Sequence, residues 1–155
     1  MGLKKRITLI FEGENHQIDS LYTALNEEKK EKLLALNDVE PKGILNVSAN
    51  FSDRTKENSE LDQYMGVASS SEGSDDFSSL HIEESDWAIF PSQGKYPETV
   101  QNTWARIYAE WLPSSYYELT GGGAEFLWTE DGDKPKPDYK SEIWIPVRKK
   151  EKERF

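Results

Sequence analysis

S-E-I-W-I-P-V, Ser141 to Val147, is the stretch on which the reading of this chain turns. Side chains alternate across a strand, so Glu142 and Trp144 share one face while Ile143, Ile145 and Val147 share the other. The aliphatic face reads as core. The opposite face, a carboxylate beside an indole, is either open to solvent or the wall of a pocket. A carboxylate taken out of water without a partner is costly; in a pocket, Glu142 would be neutralised, hydrogen-bonded to tyrosine hydroxyls, or waiting for a cation. Pro146 fits an edge strand, which leans toward solvent.

Working back from this strand, Glu130 to Tyr139 reads as a surface loop and A-E-F-L-W-T-E, from Ala124, as another strand. There Phe126 and Trp128 alternate with Glu125 and Leu127, so two neighbouring strands present rings on one face. Y-Y-E-L-T-G-G-G reads as a glycine-rich turn. Upstream, Val100, Trp104, Tyr108 and Trp111 fall at spacings of four, four and three, one stripe of a helix that starts near Pro97 and stops at Leu112-Pro113. P-S-Q-G-K-Y-P is a turn, and Leu80 to Ile82 with Trp87 to Phe90 reads as strand material around an acidic step. All five tryptophans lie in this second half. Rings at such spacings serve either as core or as a box around a planar or cationic hydrophobic molecule.

The first half has the same order of elements. Lys4 to Phe11 reads as a strand, Ile18 to Leu36 as helical, with the charged run E-E-K-K-E-K a solvated face or a junction between two helical pieces. Ile44 to Phe51 reads as a second strand, and Tyr64 to Ala68 as a third, where Gly66 marks a bulge or a close backbone approach. Ser69 to Ser79 is a long polar loop. Strand, helix, strand, strand thus occurs twice, which predicts an α+β fold in a single domain over 1–155. The units span about 4–70 and about 78–149, with a small-molecule cleft between them.

Composition narrows the function. The 155 residues carry 19 Lys and Arg against 29 Asp and Glu, a formal net charge of -10. That field repels phosphate backbones and concentrates cationic small molecules, so direct nucleic-acid contact is not expected. The absence of cysteine excludes disulfides, thiolate metal sites and a cysteine nucleophile. No signal peptide, anchor or membrane-length apolar run is visible, and the expectation is a cytoplasmic protein. His16 and His81 lack ligand-like spacing. The run at Glu130, Asp131 and Asp133 lacks the later ligands of a calcium loop, and Gly121 to Gly123 precedes a strand rather than the helix of a phosphate loop. No metal or cofactor is expected.

D-W-A-I-F-P-S-Q-G, P-E-T-V-Q-N-T-W-A-R-I-Y-A-E-W-L-P-S-S-Y-Y-E-L, A-E-F-L-W and S-E-I-W-I-P-V together resemble the GyrI-like effector-binding domain of AraC-type bacterial transcription regulators. The match is specific across Trp87 to Val147 and extends loosely through L-L-A-L-N-D-V-E-P-K-G-I-L-N-V-S-A-N-F and Y-M-G-V-A. The resemblance implies two βαββ units related by a pseudo-twofold, with a central ligand cleft and an acidic residue on the last strand, which is Glu142 here. It also implies hydrophobic, cationic effectors held by aromatic walls, for which Trp104, Tyr108, Trp128 and Trp144 are the candidates; alternation adds Phe126, on the same face as Trp128. Regulators of this kind carry a helix-turn-helix ahead of the domain. This chain begins at its first strand, so it is either stand-alone or cut from a longer regulator, with DNA contact left to another domain or a partner protein. Stand-alone relatives imply two alternatives: a gyrase-inhibiting protein, and a hydrolase of cyclopropane-bearing compounds with Glu142 as general base.

Overall fold

The computed structural model describes residues 1–10, 16–53, 56–71, 76–96, 98–120, 124–129 and 137–150. Seven strands form one sheet: β1 (Gly2–Thr8), β2 (Leu45–Ala49), β3 (Glu60–Gly66), β4 (Asp86–Gln93), β5 (Tyr117–Leu119), β6 (Glu125–Thr129) and β7 (Lys140–Lys149). Their order is β1-β3-β2-β6-β7-β4, with β5 paired to the far end of β7 and every pairing antiparallel. With the short β5 set aside, each unit therefore places its first strand outermost, its third in the middle and its second at the centre. The halves do not form two facing sheets; β2 and β6 join them into one.

The register makes the pseudo-twofold explicit. Val47 lies opposite Phe126 at the junction. With that pair on the axis, the ladders make Glu60–Gly66 equivalent to Lys140–Pro146, and Gly2–Thr8 equivalent to Trp87–Gln93. These ranges coincide with the observed strands to within one residue at the start of β4 and three at the end of β7.

Both helical layers lie on one face of the sheet. In the first unit, α1 (Asp19–Ala24) and α2 (Glu27–Leu36) are separated at Leu25-Asn26, just ahead of the charged run, because Asn26 caps α2 by accepting the Lys29 N–H at 2.9 Å. Glu27 and Glu28 then sit in the first turn, where a helix favours negative charge. Leu33, fully buried, packs with Val67 and Phe77 and against Leu3. In the second unit, α3 (Glu98–Arg106) continues through a wide turn at Ile107–Trp111 and a last turn at Leu112–Ser114, so it passes the expected stop at Pro113. Val100 and Ile107 from this helix pack with Leu127, Ile143, Ile145 and Val147. The aliphatic face of the last strand is thus core, as its alternation predicts. Burying a side chain such as Ile143 contributes ~1.5–3 kcal/mol.

Several boundaries differ from expectation. Leu80 to Ile82 forms no strand, and β4 instead runs through the expected turn to Gln93. β3 begins at Glu60, four residues early, because its polar residues Asp62 and Gln63 are paired inside the sheet. Part of the expected turn after Tyr116 is β5. Pro146 does not mark an edge, since β7 has β4 on one side and β6 and β5 on the other. Gly66 is a close backbone approach: a Cβ there would lie 2.0 Å from the Met1 carbonyl oxygen. The expected features at Pro97, Gly121 to Gly123, and Glu130 to Asp133 lie outside the described residues. Among the described residues, no helix is long and apolar enough to cross a membrane.

Candidate functional site

Among the described residues one face of the sheet carries no helix, and the candidate site lies there. Alternation and register place Phe126 and Trp128 of β6, Glu142 and Trp144 of β7, and Trp87 and Ile89 of β4 on this face, beside Val47 and Tyr64 of the first unit. Phe126 lies 5.1 Å from Trp144 in a stacked pair and 5.1 Å from Trp87 in a tilted one, with Trp87 and Trp144 6.2 Å apart. Aromatic pairs at such distances favour offset and tilted arrangements. Trp128 is fixed separately, its indole N–H donating to the Lys42 carbonyl at 3.1 Å. Leu80 lies over this cluster, in an irregular segment whose neighbours Ser79, His81 and Ile82 are exposed.

Glu142 is half-buried among these rings and accepts the Trp144 indole N–H at 3.1 Å. The structure answers the solvent-or-pocket question with an intermediate: the carboxylate is partly withdrawn from water, on an aromatic surface, and solvated on its remaining side. Among the described residues, no Lys or Arg forms an ion pair with it.

The pseudo-twofold supplies an internal comparison. Asp62 on β3 is the position equivalent to Glu142, and Tyr64 the position equivalent to Trp144. Asp62 is buried and fully matched: Asn50 donates to it at 2.9 Å, Arg6 approaches to 3.3 Å and Lys4 to 3.7 Å. The Asn50 hydrogen bond, then Arg6 and Lys4, hold its carboxyl below the usual carboxylate range against the opposing effect of desolvation. Arg6 and Lys4 come from β1 opposite Asp62 and Tyr64. The equivalent positions on β4 are Pro91 and Ile89, which carry no charge.

The six residues expected around a ligand do not share one wall. Glu142, Trp144, Trp128 and Phe126 are together, but Trp104 and Tyr108 lie across the sheet on α3 and its wide turn. Trp104 packs on the aliphatic core, and Tyr108 donates its hydroxyl to Glu125 at 2.5 Å. A helical stripe alone cannot say which face of the sheet its helix covers. Trp87, in contrast, was legible only as strand material; what recruits it is the β4 register opposite Pro146. Glu125, 4% exposed, is also a structural finding, a second buried carboxylate on the helix-covered face.

Comparison with known proteins places this geometry in a class. The chain matches the GyrI-like small molecule binding domain over residues 1–148 and belongs to that family. SAV2435, solved bound to tetraphenylphosphonium, is similar at 19% identity and a TM-score of 0.71, covering 95% of this chain and 86% of that one. A Staphylococcus aureus protein described as a candidate bacterial transcription regulation protein is 20% identical with a TM-score of 0.66, covering 95% and 90%. An integron cassette protein from the mobile metagenome of Vibrio cholerae is 15% identical with a TM-score of 0.57, covering 95% and 88%. At such identities these likenesses establish the fold. No curated protein matches the chain.

Proposed function

We propose that this GyrI-like domain binds a hydrophobic cation on the helix-free sheet face. Trp87, Phe126, Trp128 and Trp144 cover the apolar body, and Glu142 compensates the charge. The observation that carries this reading is the asymmetry between the two equivalent acids. Asp62 has Arg6 and Lys4 beside it, whereas Glu142 has Ile89 and Pro91 at the corresponding positions, which leaves the counter-charge to be supplied by a ligand. Ring faces attract cations through their quadrupoles, and the net charge of -10 raises their local concentration. The ligand of SAV2435 is such a cation, which supports the choice of class. We read the domain as the ligand-sensing part of a bacterial regulatory system, with DNA contact made by a separate domain or partner protein. The acidic field of this chain agrees with that division of labour.

Titration of tetraphenylphosphonium against intrinsic tryptophan fluorescence tests the proposal. Glu142→Gln keeps the shape of the side chain and removes the charge. The expected result is an affinity loss of about tenfold, equivalent to ~1.4 kcal/mol, for a partly solvated charge pair. Equal affinity of the two proteins would exclude the charge role of Glu142, and absence of binding to either would exclude the site.

A further inference from the structure

Among the described residues, β4 is paired on one side only, and the polar groups of its open edge can be assigned. Thr120 N–H donates to the Pro146 carbonyl at 3.2 Å, so at Pro146 the backbone polar groups of β7 point toward β5 and away from β4. Trp87 lies opposite Pro146. In an antiparallel ladder the paired residues of such a position both point away from each other, and the direction alternates along each strand. Trp87 and Ile89 therefore present their N–H and C=O groups to the open edge. Pro91, next in the same set, has no N–H and closes the edge there, where proline is a usual guard against unwanted strand pairing. The unguarded length is the first half of β4.

A groove of about 510 Å³ runs beside this unguarded length, on the helix-covered side of the sheet and away from Glu142. Phe90, Trp111 and Tyr117 form its aromatic lining, with Trp111 4.9 Å from Phe90 and stacked on Tyr117 at 6.1 Å. Asp86 and Lys149 both line it at the end where the strand begins, and Glu83 and Glu84 just before Asp86 are exposed. Ile89 is 44% exposed, so an apolar side chain also flanks the open backbone on the other face.

We infer that the first half of β4 is a docking edge for an extended peptide segment of a partner protein, one carrying a large apolar residue flanked by lysine or arginine. Strand addition takes its affinity from main-chain hydrogen bonds and its specificity from pockets for alternate side chains. Trp87 and Ile89 supply the first and the Phe90, Trp111 and Tyr117 groove the second. The three acids Glu83, Glu84 and Asp86 outweigh the one lining lysine, Lys149, and select basic flanks, and a chain of net charge -10 disfavours a second copy of itself as the occupant.

The probe is an acetylated, amidated Lys-Val-Phe-Val-Lys peptide titrated into the full chain labelled with nitrogen-15. The expected result is amide shifts at Trp87 and Ile89 with a shift of the Trp111 indole N–H in the same spectra. One N-methylated version of the peptide, either at the valines or at the phenylalanine, should bind about tenfold more weakly while the other retains its affinity, because only one set of N–H groups faces the edge. The Glu-Val-Phe-Val-Glu counterpart should also bind about tenfold more weakly. Binding unaffected by either methylation would reduce the site to a side-chain groove and overturn the inference, as would failure of the basic peptide to shift those amides. A concentration-dependent dimer that Ile89→Pro returns to monomer would assign the edge to a second copy instead. The N-methylated peptides need no protein variant, so the result does not depend on whether a β4 substitution folds.

Discussion

Asp62 and Glu142 occupy equivalent places in two similar halves and meet opposite electrostatic surroundings. In the first half the outer strand delivers Lys4 and Arg6, and the acid is closed into a network with Asn50. In the second half the outer strand delivers Ile89 and Pro91, and among the described residues the acid is held by the indole of Trp144 alone. The rings differ in the same sense. The position of Trp144 corresponds to Tyr64, over which Lys4 sits at 5.9 Å from the ring centroid. One half has thus internalised its cation, over a ring and beside a carboxylate, and the other keeps the ring and the carboxylate without the cation. On the proposed reading, the first half shows what the second accepts from a ligand.

The largest effect should come from making the halves alike. Ile89→Lys with Pro91→Arg would place an internal cation pair beside Glu142, and the expected outcome is loss of tetraphenylphosphonium affinity by about 100-fold, read by fluorescence titration. High salt should recover part of it, because both new groups are on the partly exposed edge. Retained affinity would break the comparison.

Next, Asp62→Asn should cost about 1–2 kcal/mol in a urea titration, since it removes a carboxylate that receives charged and amide donors. Ligand affinity should stay unchanged. The pH dependence has a fixed sign. The folded carboxyl is depressed, so its stabilisation is present above the ordinary aspartate range near 4 and is lost as pH falls through the lower folded value. Asp62→Asn should flatten that acid limb of the stability curve.

The smallest effect belongs to the other face. Tyr108→Phe removes the hydroxyl that donates to buried Glu125 and should lower stability by about 1 kcal/mol, measured by the same titration. It should leave cation affinity unchanged, because the sheet separates Tyr108 from Glu142. A large affinity loss in this variant would move the ligand to the helix-covered face.

Much of this architecture was legible in the chain. The alternation of Ile143, Ile145 and Val147 against Glu142 and Trp144 gave the core face of β7, and the repeated element order gave two βαββ units. Gly66 was readable as a bulge or a close backbone approach, and the structure selects the second, since a Cβ there would meet the Met1 carbonyl. Less legible was anything set by pairing. The strand at Leu80 to Ile82 was expected from composition, yet those residues cross the helix-free face with Leu80 over the ring cluster. The family resemblance groups Trp104 and Tyr108 with Trp144 in one wall, whereas the structure puts them across the sheet from it. Aromatic content carries no information about which side of a sheet a residue will face.

By itself, the sequence determined the units, the identity of the buried faces and the presence of a carboxylate beside an indole, because these follow from local periodicity. Only the tertiary structure decided that β2 and β6 fuse the halves into one sheet, that both helical layers cover the same side, and that Asp62 and Glu142 are equivalent. Those facts depend on hydrogen-bond register between strands far apart in the chain, and it is register that places Lys4 and Arg6 beside one acid and Ile89 and Pro91 beside the other.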